Sequence, residues 1–136
     1  MKEDWKELAE GLRRALGTHV PPIAITFHDT VPDVGRFDAP MPPPAPDGRA
    51  GRVPAGCVFW MKSTSRTFTT VPEDHGNCSV GSLTHGMKSL EEVAGNSDVA
   101  ALLECGWITR DVVPQIPVVR TKPAAVTYGP HPPVGD

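Results

Sequence analysis

The densest run of chemically capable side chains is Asp74-His75-Gly76-Asn77-Cys78, with Cys57 upstream and His85 downstream. Imidazole nitrogen and thiolate sulfur are good donors for zinc and iron, so Cys57, His75, Cys78 and His85 make a full tetrahedral set on paper. The separations match no standard zinc module, and no Cys-x-x-Cys pair is present. With 3 cysteines in the chain, a self-contained iron–sulfur cluster lacks one thiolate and would need a histidine, a partner chain or an open iron. The leading expectation is a cofactor- or metal-binding domain with a Cys/His site. The bound species would be a metal ion, an iron–sulfur cluster or a haem-like cofactor.

The same residues allow a second chemistry. A thiol becomes reactive as its thiolate, and a nearby imidazole or a helix N-terminus favours that form. Cys78 would then be a nucleophile or redox centre, His75 its base, and Asp74 the group that orients His75. A structural reading also stands beside both. Free cysteine often only packs, and Asp74 and Asn77 are ordinary turn and cap residues. Gly76, Gly81 and Gly86 recur at five-residue spacing without the Gly-Lys-Ser/Thr ending of a phosphate cradle; glycines here can instead let backbone approach a ligand closely.

The elements that must position these groups are short. Trp5, Leu8, Leu12 and Leu16 recur at helical spacing, so residues 4–16 read as an amphipathic helix closed by Gly17. Ile23-Ala24-Ile25-Thr26-Phe27, after Pro21-Pro22, reads as a buried strand. Prolines crowd the stretch after Pro40, so about 28–55 is a long Pro/Gly-rich loop with neither helix nor central strand. Cys57-Val58-Phe59-Trp60-Met61 reads as a second strand or the start of a short helix, and Thr67 to Val71 as a strand. Ser79 to Met87 is a short helix or turn. Ser89-Leu90-Glu91-Glu92 is a capping box opening a helix that Gly95 stops. A further helix carries Val99, Leu102 and Leu103 inward and ends at Gly106, where Cys105 serves as core or near-surface filler. Thr109 opens one more turn, through Val113. Ala124 to Tyr128 is the last strand. Trp60 and Trp107 are expected in the core or its rim. The fold class is α+β: a small mixed sheet with the N-terminal amphipathic helix and a helical cluster around 78–113.

Composition narrows the function classes. The 136 residues fit a single domain spanning 1–136. The 16 prolines and 13 glycines predict long connections rather than wholesale disorder. Net charge is −3 and the basic residues are interleaved with acids, so no basic stripe marks a nucleic-acid binder. No apolar run is long enough to span a membrane. The charged start Met1-Lys2-Glu3-Asp4 is unlike a signal peptide, which points to a cytoplasmic protein with its cysteines as thiols. A small ligand and self-association both remain open as partners. So does a non-catalytic interaction module that pairs with another chain through its last strand.

The order of features resembles a prokaryotic family, domain of unknown function 169. The resemblance runs from Trp5 and Leu8 through Pro21-Pro22-Ile23-Ala24-Ile25 and Cys57-Val58-Phe59-Trp60 to Phe68-Thr69-Thr70. It continues through Glu73-Asp74-His75-Gly76-Asn77-Cys78-Ser79-Val80-Gly81 to Ile116-Pro117, Pro123 and Val126-Thr127-Tyr128. Its most specific part is the Asp-His-x-Asn-Cys-x-x-Gly segment with the upstream cysteine. The resemblance implies that Cys57, His75, Cys78 and Gly81 fall on the family's marked positions, and that Cys105 does not. It carries no settled activity. Members continue past the last strand into a further α/β portion, so this chain is expected to be a shortened member or to lack a C-terminal portion.

Overall fold

The computed structural model describes residues 4–37, 55–75 and 78–131, with backbone alone at 55–58. The fold is α+β, as expected. Helix α1 (Trp5–Leu16) starts where the Asp4 carboxylate accepts the Lys6 and Glu7 amides, and it ends at Gly17 in the left-handed conformation. Strand β1 (Ala24–His28) follows the proline pair. After the segment 38–54, which lies outside the described residues together with most of the expected loop, come helix α2 (Ala55–Ser63) and strand β2 (Phe68–Thr70). A 3-10 turn (Pro72–His75) leads to α3 (Ser79–Thr84), α4 (Leu90–Val93) and α5 (Ser97–Glu104). A second 3-10 turn (Val113–Gln115) precedes strand β3 (Ala125–Gly129).

The three strands are antiparallel in the order β1-β3-β2. The only parallel pairing among the described residues is an isolated bridge from Arg36 to Thr69. The strand latest in sequence is thus central, flanked on both sides by ladders. This corrects the idea of recruiting a partner chain through that strand, because both of its hydrogen-bonding edges are taken.

Register sorts the side chains. Tyr128 stands between Ile25 and Phe68, and Val126 between Phe27 and Thr70, on one face; Thr127 stands between Thr26 and Thr69 on the other. On the first face Phe59, Phe68, Met87, Val126 and Tyr128 form the core, with Ile23, Phe37 and Cys78 packed against it. Phe59 comes from α2, so the apolar run at 57–61 is helical. A run that short and continuous carries no period that separates helix from strand.

The helical cluster closes over the same face. Leu83, Val93 and Val99 are buried. The Ser89 capping box is present, with Glu92 accepting the Ser89 amide at 2.7 Å and Ser89 accepting the Glu92 amide at 3.2 Å. Asp98 at the start of α5 accepts both the amide and the hydroxyl of Ser79, each at 2.7 Å, which ties α3 to α5. Gly86, at φ +71, leaves α3 with its Cα pressed against the backbone carbonyls of Val119 and Thr121, where a Cβ would collide.

The expectation for the two tryptophans is corrected: Trp60 and Trp107 are 56% and 83% exposed. Cys105 is exposed, on the near-surface side of its reading. The stripe of α1 is helical as read, and Trp5, Leu8, Leu12 and Leu16 all face solvent.

Candidate functional site

His75 ends the 3-10 turn and is fully buried. Its backbone carbonyl accepts the Cys78 amide at 3.1 Å and the Ser82 hydroxyl at 2.9 Å, so the turn is fastened to α3 from both ends of that helix's first turn. Its ring packs edge-on against Phe59 at 4.9 Å. The Nε2 atom lies 2.9 Å from the Thr70 hydroxyl. The Nδ1 atom is buried and meets no hydrogen-bond partner.

Cys78 caps α3. Its Sγ accepts the Gly81 amide at 3.2 Å, and the residue is half-buried. A Cβ placed on Gly81 would stand 3.1 Å from Sγ and 3.9 Å from His75 Nδ1. Sulfur and the unpartnered nitrogen are therefore both neighbours of Gly81, where glycine avoids a close contact with the sulfur.

His85, at the far end of α3, is differently placed. Its Nδ1 lies 2.8 Å from the Gly81 carbonyl, which can only accept, so that nitrogen carries the proton. Its Nε2 then accepts from the Tyr128 hydroxyl at 2.8 Å. Its ring centre is 5.4 Å from that of His75. The two imidazoles are neighbours, but both nitrogens of His85 are engaged.

Of the expected ligands, the structure brings together His75, Cys78 and Gly81. His85 borders them with its nitrogens turned to protein. Among the described residues no group of three metal-ligating side chains converges. The side chain of Cys57 lies outside the described residues; its backbone is in α2, two residues before the Phe59 that touches His75. Asp74 does not orient His75: its carboxylate accepts the Val71 amide at 2.8 Å and pairs with Arg36 at 3.0 Å.

Electrostatics follow burial. Desolvation, and then the nearness of His85, push the His75 imidazole down to about 4, opposed by the charge on Asp74. Burial also lowers His85, opposed by its bond to the Gly81 carbonyl. Burial pushes the Tyr128 phenol up, with the Cys78 charge adding to the effect and a Thr70 hydrogen bond opposing it. All three are thus neutral at neutral pH.

Two members of this cluster were not picked out from the sequence: Thr70 and Tyr128. Strand alternation offered a signal, since Thr70 shares its face with Phe68 and so points to the core. A depression of about 460 Å³ beside Leu103, Glu104 and Arg110 shares no lining residue with the cluster.

No family model, curated protein or solved structure matches the chain. No helix among the described residues is long and apolar enough to cross a membrane.

Proposed function

We propose that this protein binds a transition metal, free or as part of a cofactor, through His75 Nδ1 and Cys78 Sγ. One observation carries the proposal: a fully buried imidazole nitrogen with no partner, beside the same glycine as a thiol. Leaving such an atom unpaired costs about 1–3 kcal/mol, and native structures hold few such groups. A metal would supply the missing partner. The neutral imidazole is the ligating form, and a thiolate with an imidazole suits zinc, copper or iron. An iron–sulfur or haem-like centre would use the same donors. The family resemblance marks these positions and Cys57 without carrying an activity for them.

Less supports Cys78 as a nucleophile served by His75. That chemistry needs an imidazolium beside the thiolate, and burial opposes the imidazolium. The exposed stripe of α1 supports self-association as a separate property, tested by sizing over a range of concentrations.

The test is metal analysis and an absorption spectrum on untagged protein purified without oxygen, beside Cys78→Ser. Serine keeps an acceptor at the α3 cap but removes the soft donor. Stoichiometric metal in the wild type that disappears in Cys78→Ser is the expected result. A metal-free wild type, or equal metal in both, would overturn the proposal.

A further inference from the structure

Thr70 is the residue that decides which nitrogen of His75 is free. Its hydroxyl lies 3.2 Å from the Val126 carbonyl and 2.9 Å from His75 Nε2, and it also reaches the Tyr128 phenol. A carbonyl oxygen, and a phenol whose proton goes to His85, can only accept, so a Thr70 hydroxyl that serves either of them keeps only lone pairs for Nε2. In that arrangement the proton of the neutral imidazole sits on Nε2 and the ring's own lone pair on Nδ1, the buried atom beside Gly81 and Cys78.

We infer that Thr70 is a positioning residue: by spending its proton on the Val126 carbonyl or the Tyr128 phenol, it fixes His75 in the Nε2–H tautomer and aims the Nδ1 lone pair at the Cys78 side. This inference rests on the proposed metal site for its purpose, though not for its geometry. Metal-ligating histidines commonly donate their other ring N–H to an acceptor that fixes tautomer and orientation. Here the acceptor is a hydroxyl anchored in turn on the central strand. Register explains the reach. Thr70 is the β2 partner of Val126, so hydroxyl and carbonyl belong to adjacent strands, and the chain needs only four more residues to bring His75 back over them.

The test compares wild type, Thr70→Val and Thr70→Ser. Valine keeps the shape and branching of threonine without the hydroxyl; serine keeps the hydroxyl. Nitrogen-15 spectra of the metal-free protein at neutral pH report the His75 tautomer directly. Wild type and Thr70→Ser should show one tautomer, protonated on Nε2, and Thr70→Val should show averaging between two. Metal retained per chain should fall in Thr70→Val, by about tenfold to a hundredfold in affinity, and recover in Thr70→Ser. A wild-type proton on Nδ1, or an unchanged single tautomer in Thr70→Val, would overturn the inference. So would metal retention that ignores a shifted tautomer. A wild type that holds no metal but shows the Nε2–H tautomer, lost in Thr70→Val, would sink the metal reading alone and leave Thr70 its role in setting the tautomer.

Discussion

Two imidazoles stand 5.4 Å apart in this protein, and they differ in one respect. His85 spends both ring nitrogens on the protein, one on the Gly81 carbonyl and one on the Tyr128 hydroxyl. His75 spends one on Thr70 and leaves the other bare. Both rings belong to the same packed face, His75 fully buried and His85 partly so. The difference is what each free lone pair faces: for His85 a phenol, for His75 the side of α3 where a glycine replaces a side chain and a thiol begins the helix. A histidine of the first kind is architecture. One of the second kind keeps a nitrogen that the protein itself leaves unsatisfied.

The largest effect expected from breaking this contrast comes at Gly81. Gly81→Ala places a methyl 3.1 Å from Sγ and 3.9 Å from Nδ1, in the space a ligand needs. Its helical position should otherwise welcome alanine, by up to about 1 kcal/mol. Metal binding should weaken by about a hundredfold or more, roughly 3 kcal/mol, a larger loss than any change in thermal stability of the metal-free protein, whose sign depends on how far Sγ shifts to relieve the 3.1 Å contact. Binding titrations alongside melting curves check both halves; unchanged affinity would show that the space is not the site.

Acid provides the next largest effect. The unfolded His75 titrates near 6.5 and the folded one near 4, so between those values the unfolded chain holds more protons. Stability should be complete above about 6.5, decline as pH falls toward 4 and level off below. The His75 share is roughly 3 kcal/mol. His85 is lowered too and adds in the same direction. Denaturant midpoints across this range measure the slope, and His75→Leu should remove most of it.

A smaller effect separates the two rings in the metal-free state. His85→Leu strands the Gly81 carbonyl and the Tyr128 hydroxyl, whereas His75→Leu strands only a lone pair on Thr70 and removes an atom that had no partner. With chelator present, His85→Leu should be the more destabilising by about 2 kcal/mol. Equal losses would mean that the bare nitrogen is less costly than claimed.

Much of the scaffold was legible in the sequence. The Trp5-to-Leu16 period, the proline-bounded strand at 23–27, the Ser89 capping box and the last strand all follow from local rules, and the structure contains each, though the first strand, read as buried, lies at the sheet edge with none of its residues buried. What local rules do not contain is pairing. That Ala125–Gly129 lies between two strands far from it in sequence follows from register, which no local pattern states. The same limit applied to the site. The spacing of His75 and Cys78 marked the pair, but Thr70 and Tyr128 joined it only once β2 and β3 were side by side. Trp60 and Trp107 failed in the opposite direction: large apolar residues suggest burial, yet position on the finished surface decides it.

The most direct measurement follows the ring nitrogens of His75 while metal-free protein is titrated with zinc(II), copper(I) and iron(II) under anaerobic conditions. With at least one of these ions, the Nδ1 resonance should move to its ligated position while the Nε2 proton stays in place, and Cys78→Ser should abolish the change. Saturable binding that leaves Nδ1 untouched, or no response to any of the three ions, would contradict the account.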